Sequence, residues 1–169
     1  MKKIVMPLLS VAVLIAIIVT VVLSIADKKH AKVVVLDNTD AKAITITPNE
    51  YQCSTCKMEI TQLPYAVEIV NNNGKTWFFD DMGCAIEWLE HQDFKDNVVI
   101  WTQTEDTKEW IDATTACYRR DALTPMNFGF AAQQTCTKEM IDYNTMRLKV
   151  LRGETMKDPY IRKQLLGAS

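Results

Sequence analysis

Residues 4 to 26 carry no charged side chain and are almost entirely Val, Ile, Leu, Ala and Met. An amphipathic helix would interpose polar residues at a 3.6-residue period, and this run does not. It also reaches the roughly 20 apolar residues that a bilayer crossing needs. The pattern therefore predicts an N-terminal transmembrane helix, with membrane contact through residues 4–26. The basic start Met1-Lys2-Lys3 and the small-x-small triplet Ser24-Ile25-Ala26 also fit a cleaved signal peptide. Signal h-regions run to about 7–15 residues, so the length favours a retained anchor. Lys28, Lys29 and Lys32 on the far side leave the positive-inside count undecided. With so few residues ahead of the run, the expected placement is a single pass through the cytoplasmic (inner) membrane, with the domain facing the periplasm.

Beyond the run the periodicity changes. Ala31 to Leu36 is β-prone, and Ala43-Ile44-Thr45-Ile46-Thr47 alternates apolar and polar residues before Pro48-Asn49 breaks it. Tyr65 to Phe79 reads as a hairpin turned by Asn71-Asn72-Asn73-Gly74. Asp80-Asp81 then stands where a helix N-cap belongs. Met82, Ala85, Ile86 and Leu89 give helical spacing over Met82 to Glu90, and Asn97 to Thr102 reads as a strand. In the second half, Trp110 to Arg119 and Phe128 to Ala132 are predicted strands, and Thr137 to Leu151 a helix stopped by Gly153. Hairpin-then-helix, read twice, predicts an α+β domain of two ββαβ-like repeats. The expected organisation is an anchor over 1–26, a linker and entry strand over 27–50, a folded domain over 51–156 and a charged tail over 157–169.

Charge narrows the function classes. Removing Lys2 and Lys3 from the 19 basic residues leaves 17 against 21 acidic ones, a formal charge of −4 beyond the apolar run. No basic stripe suits a nucleic acid, so none is expected as a partner. Five cysteines remain, Cys53, Cys56, Cys84, Cys117 and Cys136, an odd number in a chain whose expected location permits disulfides. A Cys117–Cys136 bridge across the second half is one pairing.

The chemistry concentrates in Cys53-Ser54-Thr55-Cys56-Lys57-Met58. In a tight turn, a Cys-x-x-Cys spacing brings both sulfurs within reach of one ion. A structural zinc site wants four ligands, whereas thiolate with thioether suits Cu(I). Met82 and Cys84, astride Gly83 at the predicted helix start, and Met126 after Pro125 are further sulfur candidates. His30 and His91 lack metal-ligand spacing. The same cysteines admit a structural disulfide or a thiol-disulfide oxidoreductase. A thioredoxin-type pair, however, should open a helix after a strand, and this one precedes a hairpin. No general base accompanies the cluster, so an enzyme is not expected.

Cys53-x-x-Cys56-x-Met58, Ala66 and Gly74-Lys75-Thr76-Trp77-Phe78-Phe79-Asp80-Asp81 together resemble the NosL family, accessory proteins of nitrous oxide reductase maturation. Tyr118-Arg119-Arg120, Leu123-Thr124-Pro125-Met126 and Gly129-Phe130-Ala131-Ala132 extend the resemblance over roughly residues 50 to 150. It implies a periplasmic copper(I) chaperone with a duplicated α+β fold. The implied partners are copper-accepting maturation proteins, an ABC-type complex or the reductase itself. It puts copper on Cys53, Cys56, Met58 and Met126. Two departures stand out: Lys57 occupies a position where the family usually has Gly, and an apolar helix replaces the frequent lipoprotein signal. A second resemblance, to small treble-clef domains for heavy metals, rests on the same opening and on Cys84 shortly after an aromatic strand. It implies zinc or general metal trafficking.

Overall fold

A computed structural model describes the backbone of residues 2–26 and 31–167, and the side chains of residues 11–23 and 31–167. The chain forms two compact units, Met1–His30 and Ala31–Ser169. The first is a helix, α1 (Lys2–Ala26). Its described side chains, such as Val11, Leu14 and Ile18, are exposed. Among the described residues no helix is long and apolar enough to cross a membrane. This overturns the expected transmembrane helix over residues 4–26. Met1, Lys28, Lys29 and His30 lie outside the described residues.

The second unit is α+β. Its five-stranded antiparallel sheet has the order β1-β3-β2-β4-β5, from β1 (Val34–Val35), β2 (Val67–Asn71), β3 (Thr76–Phe79), β4 (Val98–Gln103) and β5 (Trp110–Asp112). The central hairpin pairs Val67 with Phe79 and Ile69 with Trp77, and β4 lies on the other side of β2, with Ile69 opposite Ile100. Strand alternation sends the two sets of side chains to opposite faces. Val67, Ile69, Trp77 and Phe79 pack with Ala85, Ile86 and Leu89 of α2 (Met82–Glu90). Phe78 and Ala66 pack with Ile46, Tyr51 and Ile60 on the other face. The sheet is therefore covered on both sides: by helix on one and by the irregular stretch 44–63 on the other.

The expected pair of equivalent repeats is corrected as well. β4 and β5 extend the first hairpin's sheet instead of starting a second one, and only β6 (Cys117–Arg119) and β7 (Ala131–Gln133) form a separate two-stranded ribbon. The predicted strand Trp110 to Arg119 breaks because Asp112 folds the chain back. Its Oδ1 accepts the Thr114 N–H at 2.8 Å and its carbonyl accepts the Thr115 hydroxyl at 2.8 Å. The predicted helix 137–151 shortens to α3 (Tyr143–Leu151), because Asp142 caps it by accepting the Thr145 N–H at 2.7 Å. Residues 43–47 form no strand; the Ile44 N–H donates to Glu68 Oε2 at 2.9 Å instead. The stretch read as a charged tail carries α4 (Pro159–Leu165), opened by Asp158 at the cap and Pro159 at the first turn. Cys117 and Cys136 are disulfide-bonded, closing the ribbon.

Candidate metal centre

Tyr51 to Ile60 fold back on themselves. The Ile60 N–H reaches the Tyr51 carbonyl at 2.8 Å, the Cys53 N–H the Met58 carbonyl at 2.8 Å, and the Lys57 N–H the Cys53 carbonyl at 3.1 Å. This turn requires a left-handed residue before Met58, and Lys57 supplies it with φ 66°. For an L residue that conformation costs roughly 1–2 kcal/mol, and the Lys57 ammonium folds back to donate to the Ser54 carbonyl at 2.6 Å. The chain thus makes the turn that a glycine would make, with a lysine in its place.

Two hydrogen bonds fix the turn to the rest of the site. The Ser54 N–H donates to the Phe78 carbonyl at 2.8 Å, and the Thr55 hydroxyl donates to the Cys84 carbonyl at 3.0 Å. The first bond holds the turn against the end of β3, which runs directly into Asp80. The second holds it against the first turn of α2. Three stretches far apart in sequence meet there: Cys53 and Cys56 from the turn, Asp80 from the β3–α2 junction and Cys84 from α2. Their ligand atoms all lie within 4.8 Å of one another.

Burial and charge complete the description. Cys53, Asp80 and Cys84 are buried, at 0%, 2% and 2% exposure; Cys56 alone is half-buried. Asp80 Oδ2 accepts from Cys56 Sγ at 3.3 Å, while Asp80 Oδ1 is buried with no hydrogen-bond partner. A buried carboxylate oxygen without a donor is costly, and a cation at this position would satisfy it. A hydrogen bond from Cys84 pulls the Cys53 thiol down to about 7. The same bond, with burial, pushes Cys84 far up, and burial chiefly pushes Cys56 up to about 12. Of the three sulfurs, Cys53 is thus the one that gives up its proton most readily. A cation that draws the remaining sulfurs in as thiolates must displace their protons.

α2 begins at this cluster for a local reason. Asp81 caps it, accepting the Gly83 N–H at 3.1 Å, and the same carboxylate accepts the Met126 N–H at 3.1 Å. Burial pushes Asp81 up to about 6, against opposing hydrogen bonds from Thr124, Gly83 and Met126. Gly83 lets the loop come this close: a Cβ there would stand 2.0 Å from ring carbons of Phe128. So the Thr124-Pro125-Met126 segment does reach the start of α2, through its backbone.

All three cysteine candidates, Cys53, Cys56 and Cys84, fall in the group with Asp80, and Met82 and Met126 belong to the same core cluster as these cysteines. Met58 stands at the surface, 44% exposed, two residues beyond Cys56. Met82 is buried in the core, and Met126 is partly buried against it. The cluster's fourth member, Asp80, reads from sequence first as part of a capping pair, with a metal role as the lesser alternative. The cap is Asp81, and the Asp-Asp doublet at the end of a strand was the available signal that one carboxylate was spare. His91 is the C-cap of α2 and lies outside the group. The cleft lined by Glu105, Arg119, Arg120 and Gln133 shares no residue with it. No protein-family model, no curated protein and no solved structure matches the chain.

Proposed function

We propose that this protein binds one copper(I) ion through Cys53, Cys56 and Cys84 and passes it to a partner, acting as an extracytoplasmic copper chaperone and not as an enzyme. The observation that carries the reading is the convergence of three thiols and one carboxylate within 4.8 Å, closed on every side but that of Cys56. Thiolate sulfur selects soft ions, Cu(I) first among those available to a protein. The half-buried Cys56, with exposed Met58 beyond it, gives a route by which an incoming sulfur donor takes the ion through ligand exchange. The Cys117–Cys136 disulfide supports an exported location, since such bonds persist in oxidising compartments. Thiol-disulfide catalysis fits less well, because it wants the low-pKa sulfur at the surface. Here that sulfur is the buried Cys53. The client, nitrous oxide reductase or its maturation complex, rests on the NosL resemblance alone.

A second reading is a zinc-holding module of treble-clef type. The unpartnered Asp80 Oδ1 favours it, because a fourth, hard ligand completes a tetrahedral Zn²⁺ site. Anaerobic titration of the reduced chain with Cu(I) against a chromophoric Cu(I) chelator, run beside a Zn²⁺ competition, decides between them. The copper reading expects one Cu(I) per chain and a loss on the order of tenfold or more in affinity, at least 1.4 kcal/mol, for Cys53→Ser or Cys84→Ser, with Asp80→Asn nearly neutral. Affinity for Zn²⁺ that depends on Asp80, with weak Cu(I) binding, overturns it.

A further inference from the structure

The three sulfurs of the cluster are free thiols in a domain that also contains a closed disulfide. Cys56 is the one free thiol that is not buried, so a disulfide reagent reaches it first. The nearest resolving thiol along the chain is Cys53, in the same hydrogen-bonded turn and with its Sγ inside the 4.8 Å group.

We propose that the empty site closes a Cys53–Cys56 disulfide, and that metal loading therefore follows a dithiol–disulfide exchange that reopens it. In the closing reaction, Cys56 sulfur attacks a disulfide RSSR, forming Cys56–S–S–R and releasing RSH. Cys53 sulfur then displaces the second RSH and forms Cys53–S–S–Cys56. Two electrons and two protons leave the pair, and one RSSR becomes two RSH. The reverse reaction consumes a partner dithiol, which leaves as its own disulfide. The bond spans one tight turn and gives up the hydrogen bond from Cys56 Sγ to Asp80 Oδ2. It leaves only Cys84 sulfur and the Asp80 carboxylate at the site, one soft donor where Cu(I) needs two or three. A dithiol reductant is thus the partner class that acts before copper. The inference rests on the metal-binding reading for its consequence, though not for the bond itself.

The test uses the full chain, metal-free and anaerobic, treated with oxidised glutathione. Disulfides are mapped by mass spectrometry of unreduced peptides, with Cys117–Cys136 as the internal reference. The expected result is a Cys53–Cys56 peptide, Cu(I) stoichiometry falling from one to none, and recovery after a thioredoxin-type dithiol. Prior loading with Cu(I) slows the closure at least tenfold, and Cys84→Ser leaves the bond able to form. Free thiols after exhaustive treatment, a bond that uses Cys84, or an oxidised chain that still binds Cu(I) overturns the proposal. A reduced chain that binds no Cu(I) sinks the copper reading instead, while the peptide map still decides the pairing.

Discussion

Glu68 lies on the central strand β2, opposite Phe78 on one side and Trp101 on the other, and has no solvent exposure. The stretch 38–44 straps it in: Asn38 donates to Thr76 Oγ1 at 3.1 Å, Trp101 Nε1 donates to the Ala41 carbonyl at 2.8 Å, and the Ile44 N–H donates to Glu68 Oε2 at 2.9 Å. Its other oxygen has no partner. One hydrogen bond does not offset the loss of water, and burial pushes the carboxyl up to about 8 from an ordinary 4.5. The folded chain therefore holds a proton that the unfolded chain has lost between those two values. Stability must fall as pH rises through that window. At about 1.4 kcal/mol per pH unit the cost is under 1 kcal/mol at pH 5 and about 3 kcal/mol at pH 7, and it levels off above about pH 8. Glu68→Gln mimics the protonated form in shape and charge. It should match the parent near pH 5 and exceed it by about 3 kcal/mol at pH 7. Guanidinium unfolding of the metal-free, disulfide-intact chain at five pH values, followed by tryptophan fluorescence, measures the difference. Parallel curves for the two proteins between pH 5 and 8, or a gap that widens as pH falls, would refute the reasoning.

Three further outcomes follow from the same structure. Gly83→Ala gains roughly 1 kcal/mol of helix propensity but drives a Cβ to 2.0 Å from the buried Phe128 ring; a net loss of about 2 kcal/mol is expected in chemical denaturation, with weaker metal binding. Lys57→Gly relieves the left-handed strain at φ 66° and gives up the bond to Ser54; thermal unfolding should show a gain of no more than about 1 kcal/mol, whereas β-branched Lys57→Val should lose about 1–2 kcal/mol. Replacing both Cys117 and Cys136 by Ser frees a loop of sequence separation 19 and should cost about 3 kcal/mol in denaturant unfolding, with the Cu(I) stoichiometry unchanged.

The elements set by local signals were legible in the sequence. The hairpin turn at Asn71 to Gly74 and the helix Met82–Glu90 carry their own turn, cap and periodicity, and the structure has them where the pattern puts them. What failed depended on competition between partners. Thr137 to Met140 has residues that a helix tolerates, yet Asp142 starts the helix later because its carboxylate satisfies the Thr145 N–H. Ile44 and Ile46 alternate like a strand, but the Ile44 N–H is taken by a buried glutamate and not by a ladder. The apparent repeat failed for a related reason: β4 and β5 found the open edge of the first hairpin. At the site, the Cys-x-x-Cys pair was visible from spacing alone. Asp80 was legible only as the lesser alternative, since a carboxylate before a helix reads first as a cap until a neighbour is seen to do that work.

The hydrogen bonds around the cluster decide what kind of site it is. Cys53 is held by its own turn, that turn is tied to β3 through Ser54, and Thr55 clamps the Cys84 carbonyl. Asp81 fixes the start of α2 and the Met126 backbone together. Each buried donor is thus positioned by main-chain bonds that a bound ion does not have to create, so little ordering is left to oppose binding. Cys56 is the exception. Its side chain donates to Asp80, and it is only half-buried. An ion held by rigid sulfurs on one side and one accessible sulfur on the other leaves by the accessible side. The rate of its departure should therefore respond to Cys56 far more than to Cys53 or Cys84, which set how tightly it is held.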